Sequence, residues 1–164
     1  MANQMWNNPG IPHKDWTCID VIDLKEDGNS EYEKCEMCGN ENVRFIHVMR
    51  HADVPYTLRV GCVCAEKMSD DYVNPRKYES ALRNKAKRKA SFNRIPWKYN
   101  PIKKTYSKKY KDTYITILCS KYGNYGIFFQ GFKIWKHNGR NIKSFELAED
   151  IAFEEFEELN DVYY

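Results

Sequence analysis

No stretch of this chain stays apolar for the roughly 20 residues that a membrane-crossing helix requires. Residues 1–12 have neither a basic start nor an apolar segment of the kind a secretory leader carries. A soluble, cytoplasmic protein without a membrane partner is therefore expected. No internal repeat and no low-complexity segment is present, and a composition 42% hydrophobic and 15% aromatic supports a packed core rather than a disordered chain. The chain also lacks a P-loop, a Gly-rich phosphate cradle and any Ser-His-Asp order that stands out. Histidine is scarce, with only four in 164 residues. The reading is thus of a non-catalytic protein.

What is present is cysteine in a telling arrangement. Four of the six cysteines form two close pairs, Cys35-x2-Cys38 followed by Gly39, and Cys62-x-Cys64. In a reducing compartment such pairs remain free thiols available to metal. Thiolates two residues apart can bite one tetrahedral zinc at about 2.3 Å per sulfur, and the turn behind such a pair wants glycine. A structural Zn2+ held by Cys35, Cys38, Cys62 and Cys64 is the expectation. Its weak point is the second pair, because ligands at i and i+2 need an extended or strained backbone. His47 and His51 stand as alternatives for one of the thiolates. Cys18 and Cys119 lie in apolar, strand-like surroundings and read as small buried hydrophobes.

Charge is strongly segregated. Residues 76–111 hold fourteen Lys or Arg against one acid, Glu79, whereas residues 144–164 hold eight acids and no base. The first run reads as a helix, with Asn74 as N-cap, Pro75 in the first turn, a narrow apolar stripe of Tyr78, Leu82, Ala86 and Ala90, and a stop at Pro96. Residues 97–111 read as an extended linker in which Trp97, Tyr99, Tyr106 and Tyr110 are interleaved with lysines. Cations on a helix neutralise phosphates, and aromatics stack on unpaired bases. Arg83, Lys87, Arg88 and Arg94 are the expected phosphate contacts, and Trp97 the stacking side chain. The competing expectation is that the acidic carboxy-terminal helix folds against this segment and neutralises it.

Three parts are expected in an α+β chain. Residues 13–73 form a zinc-ribbon or treble-clef module, with strands at 16–24, 43–49 and 56–60 and a turn at 26–29. Residues 74–111 form the basic connecting helix and linker. Residues 112–164 form a three-stranded antiparallel sheet with one helix. In that last part, strands at 114–119, 127–129 and 132–136 precede an Asn138-Gly139 hairpin, with Gly131 as a bulge or bend. Ser144 caps a helix whose core face is Ala148, Ile151, Ala152, Phe156 and Leu159.

Three resemblances bear on function. The order helix, strands, helix from Asn74 onward resembles a double-stranded-RNA-binding domain in topology, but the closing helix carries Glu146, Glu149, Asp150, Glu154, Glu155, Glu157 and Glu158 where such domains carry lysines. Cys35-x2-Cys38 with His47 or His51 is similar to part of the HNH nuclease plan, but Ala65-Glu-Lys-Met-Ser69 offers no histidine for the second metal ligand. The run Trp16-x-Cys18-x-Asp20-Val21-x-Asp23-Leu24, Cys35-Glu-Met-Cys38, Ile46-His47-x-Met49-x-His51, Gly61-Cys-Val-Cys-Ala-Glu-Lys-Met68 and Asp71-Tyr-Val-Asn-Pro-Arg76, with Ala152-Phe153 near the end, resembles a group of small bacterial and phage proteins. That resemblance implies a bacterial or phage origin and a zinc-ribbon-like element, and it transfers no catalytic residue. The leading expectation is a zinc-stabilised nucleic-acid-binding protein, DNA or RNA. Behind it stand a phage or mobile-element inhibitor of a host defence protein and a degenerate HNH-like nuclease.

Overall fold

The computed structural model describes residues 5–26 and 31–161; residues 27–29 of the expected turn and the start of the amino-terminal stretch lie outside these. Among the described residues the fold is α+β, with three α-helices and antiparallel sheets. No described helix is long and apolar enough to cross a membrane. The chain divides into two compact units, Met1–Ala86 and Lys87–Tyr164. The division falls inside a helix, and the expected boundary at 111 falls in the turn between two strands of one sheet.

In the first unit, β1 (Thr17–Asp23), β2 (Phe45–Arg50) and β3 (Leu58–Val60) pair antiparallel in the order β1-β2-β3. The central strand β2 is almost wholly apolar, Phe45-Ile46-His47-Val48-Met49, and its buried positions belong to a core with Trp16, Met37, Leu58, Val60, Ala65 and Met68. Helix α1 (Cys62–Ser69) follows β3 directly and stops at Asp70, whose φ of 56° ends the right-handed turn. Helix α2 (Asn74–Arg94) begins as the Pro75 signal predicts, but its cap is Asp71 rather than Asn74. The Asp71 carboxylate accepts from the backbone N–H groups of Val73 and Asn74, at 3.0 and 2.9 Å. These are among the donors a helix start leaves without an internal partner.

The second unit corrects the expected sheet. Residues 97–111 are not a linker: β4 (Lys98–Asn100) and β5 (Thr105–Tyr110) precede β6 (Thr113–Cys119), β7 (Tyr125–Phe129) and β8 (Phe132–Ile134) in one five-stranded antiparallel sheet. A two-stranded hairpin, β9 (Lys136–His137) and β10 (Arg140–Asn141), turns at Asn138-Gly139, both with positive φ as a type I′ turn requires. Gly131 lies in the β7–β8 turn itself. Helix α3 (Phe145–Asp161) is capped by Ser144, whose Oγ accepts from the Leu147 N–H at 3.1 Å. Its Ala148, Ile151, Ala152, Phe153 and Phe156 are buried in a core with Ile115, Ile117, Ile127 and Phe129, while Leu159 is only half-buried. Full burial of each large apolar side chain contributes about 1.5–3 kcal/mol.

The carboxy-terminal end of α2 is closed by a buried lysine. Lys108 of β5 is 3% exposed, and its Nζ donates to the carbonyls of Phe92 and Ile95 at 2.6 and 3.3 Å. The ammonium also lies 3.6 Å from the ring centre of Phe92 and 4.4 Å from that of Trp97. A cation at the negative end of a helix, over two aromatic faces, is favourable on both counts.

Candidate metal centre

The turn that carries Cys35 and Cys38, a knuckle closed by the Glu33–Val43 bridge, is built before its cysteines are considered. Glu33 and Val43 exchange both backbone hydrogen bonds across its stem. Gly39 has φ 80°, and its N–H donates to the Cys35 carbonyl at 2.8 Å, closing the turn that brings Cys38 back toward Cys35. The Gly61 N–H donates to Cys35 Sγ at 3.4 Å, linking the knuckle to the start of α1. Arg59 of β3 holds Glu33 with two hydrogen bonds, at 2.9 and 2.8 Å, and so fixes the stem against the sheet.

Three of the four expected ligands come together. The Sγ atoms of Cys35, Cys38 and Cys64 lie within 4.8 Å of one another, with Cys35 and Cys64 buried. Bonds of about 2.3 Å to a tetrahedral zinc place sulfur atoms roughly 3.8 Å apart, so a small inward movement of the side chains would hold an ion. The chemistry of the donor set also fits: the Cys64 thiol donates to Cys35 and holds the Cys35 pKa well below the ordinary thiol range, helped by the Gly61 N–H, while the same coupling pushes Cys64 up. One thiolate is thus already favoured.

Cys62 is placed elsewhere. Both Cys62 and Cys64 lie in α1, where residues two apart project about 200° from each other around the axis. Cys62 instead groups with His47 of β2 and Glu79 of α2, again with the donor atoms within 4.8 Å. His47 is fully buried, and its Nε2 lies 3.0 Å from Glu79 Oε1. Burial opposes charge on this imidazole, but Cys18 and Glu79 outweigh it and bring its pKa up to about 9. Burial, with the negative charge of Glu79 next, pushes the Cys62 thiol up to about 12. His51 belongs to neither group; its Nδ1 accepts from the Asp53 N–H at 3.0 Å, and its ring packs 5.3 Å from Trp16. A cleft of about 310 Å³ is lined by both pairs of cysteines together with Glu79 and Arg83.

The expected nucleic-acid contacts separate in the same way. Arg83, Lys87 and Arg94 have exposed side chains on α2. Arg83 also lies over the Phe45 ring at 5.0 Å and 4.0 Å from Glu79. Arg88 is held by Glu157 of α3 through hydrogen bonds of 2.6–3.0 Å to a carboxylate that is 6% exposed. Lys89 pairs with Asp150 at 3.5 Å. Trp97 is half-buried, donates its indole N–H to Glu149, meets the rings of Phe92 and Phe145 edge-on, and has one face under Lys108. Tyr106 packs against the second core and Tyr110 is buried in it; Tyr99 is exposed. No family model matches the chain, and neither a curated protein nor a solved structure matches it.

Proposed function

We propose that the protein is a metal-stabilised, non-catalytic nucleic-acid-binding protein. In this reading Zn2+ on Cys35, Cys38 and Cys64 ties the knuckle to α1, and the exposed cations of α2 meet phosphates. The observation that carries the reading is the stripe on α2. At 100° per residue, Arg83, Lys87 and Arg94 fall within an arc of about 40° along the helix. Arg88 and Lys89, about 140° and 240° round from Arg83, are the cations that Glu157 and Asp150 of α3 engage. The helix thus separates the two cations that pair with α3 from three whose side chains are exposed. Contacts of this kind grip the backbone and carry no base sequence.

The test is a charge reversal of Arg83, Lys87 and Arg94 to Glu, with binding to single- and double-stranded DNA and RNA measured across a salt series. For duplex DNA, three lost phosphate contacts should flatten the slope of log K against log salt by about 2.7. Binding and slope equal to those of the unaltered chain would defeat the reading. Zinc content measured on the same sample should show the thiolate site filled, and Cys38→Ser should empty it. The alternative, an inhibitor whose acidic helix imitates nucleic acid, draws less support from the geometry. Glu157, Asp150 and Glu149 of that helix are engaged by Arg88, Lys89 and Trp97.

A further inference from the structure

We infer that His47, Cys62 and Glu79 form a second Zn2+ site, separate from the three-thiolate site and opening on the same cleft. The three donors come from three elements, β2, the first turn of α1 and α2, so their convergence is a product of the fold and not of local helix spacing. Each is out of character for its own element. His47 is a fully buried polar side chain in a strand otherwise made of Phe, Ile, Val and Met up to its exposed end. Glu79 is the one acid in the sequence of α2, and it is turned inward, its side chain 18% exposed, beside a basic helix surface. Cys62 is directed away from Cys64 by the helix that carries both.

The donor types suit zinc. One imidazole, one thiolate and one carboxylate are each ordinary zinc ligands, and bonds of about 2.0–2.3 Å put them roughly 3.3–3.8 Å apart. Here the donor atoms all lie within 4.8 Å of one another, with His47 Nε2 3.0 Å from Glu79 Oε1. A divalent ion against one thiolate and one carboxylate is locally neutral, which removes the cost of burying either anion alone. The surroundings are those of an oriented site. Cys18 Sγ lies 4.0 Å from His47 Nδ1, on the side of the ring opposite Glu79. Glu66 accepts from Cys62 Sγ at 3.4 Å and is itself fixed by Arg76 Nε at 2.8 Å. The Cys18 contact is of the kind that holds a ligating imidazole in place. The Cys62 proton that Glu66 accepts, by contrast, leaves when the thiol binds zinc, with Arg76 then balancing the Glu66 carboxylate. Three protein ligands leave a tetrahedral ion one further position, and Cys62 and Glu79 both line the cleft, so a water or a small anion can complete it.

This site does not depend on nucleic-acid binding, and its test needs none. The full chain is loaded with zinc, freed of excess and assayed for metal per chain, and separately titrated with Co2+ to follow the thiolate-to-cobalt absorption. Two equivalents are expected for the unaltered chain and one each for Glu79→Gln and Cys62→Ser. In Cys38→Ser the equivalent that remains is the mixed-ligand one. Saturation of the unaltered chain at one equivalent overturns the inference, as does retention of two equivalents in both Glu79→Gln and Cys62→Ser. Near-UV circular dichroism, which reports the buried Trp16, separates lost metal from lost folding. If a variant unfolds, the stoichiometry and spectrum of the unaltered chain alone still decide.

Discussion

Replacing Lys108 with Met isolates the closing of α2. The side chains are similar in length, so little volume is lost, but the carbonyls of Phe92 and Ile95 lose their charged donor. Each hydrogen bond to a charged group is worth about 1.5–3 kcal/mol. Against this, the variant no longer buries an ammonium, a relief of several kcal/mol before its partners are counted. The expected balance is a loss of about 2 kcal/mol, or a melting temperature lower by about 4–8 °C for a chain of this size. The pH dependence gives a second, independent reading. Burial holds the pKa of Lys108 below that of an ordinary lysine, with Glu149 opposing the shift. The folded chain therefore releases this proton at lower pH than the unfolded chain, whose lysines titrate near ~10.4. Protonated Lys108 costs stability below its folded pKa, and that cost fades as pH rises through the window up to ~10.4. The difference in melting temperature between the unaltered chain and Lys108→Met should widen as pH rises through that window. A variant as stable as the unaltered chain at neutral pH, or a gap that does not change with pH, would refute the reasoning.

Three other outcomes follow from separate contacts. A methyl group added at Gly126 would lie 2.8 Å from ring carbons of Trp135, which covers that glycine from the neighbouring chain segment; Gly126→Ala should cost about 1–2 kcal/mol in thermal melts and shift the tryptophan fluorescence as the ring is displaced. Removing the α3 cap with Ser144→Ala should cost about 1 kcal/mol, seen in the same melts. Burial pushes the Asp23 carboxyl up, but its two hydrogen bonds from Arg44, both 2.9 Å, outweigh this and leave its pKa lowered. Its stabilising contribution is therefore complete above the unfolded value of ~3.9 and fades as pH falls through the folded value. Acid titrations of stability should show that loss in the unaltered chain and not in Asp23→Asn.

The strands of the first unit were legible because β1, β2 and β3 lie in short segments rich in Ile, Val, Leu and Met and bounded by turn residues, and α2 because of its Pro75 start and Pro96 stop. Strand β5 was hidden by the residue that matters most to it. Tyr106, Lys108 and Tyr110 alternate along one buried face, but a lysine in the middle reads as a solvated charge, so the period of two disappears. Trp97 read as a free stacking surface because Glu149, the partner of its indole N–H, is 52 residues away in the chain. At the cysteine cluster, the turn that joins Cys35 to Cys38 could be read from Cys35-x2-Cys38-Gly39. The parting of Cys62 from Cys64 could not, since it depends on α1 starting at Cys62. The sequence alone suggests His47 only as an alternative to one cysteine and does not suggest Glu79 as a ligand at all. A histidine inside an apolar strand and a single acid inside a basic helix were the signals available, but nothing in the spacing joined them.

The order of the second unit along the chain sets a hazard during synthesis. Strands β6 and β7 present Ile115, Ile117, Ile127 and Phe129 on the face that α3 covers, and α3 is the last of the described elements to be made. At about 5–20 residues per second, the ribosome needs roughly 2–6 s to pass from Phe129 to the end of α3. Until then that face is open to other nascent chains, so premature termination ahead of α3 leaves a sheet whose natural fate is aggregation rather than a smaller folded protein.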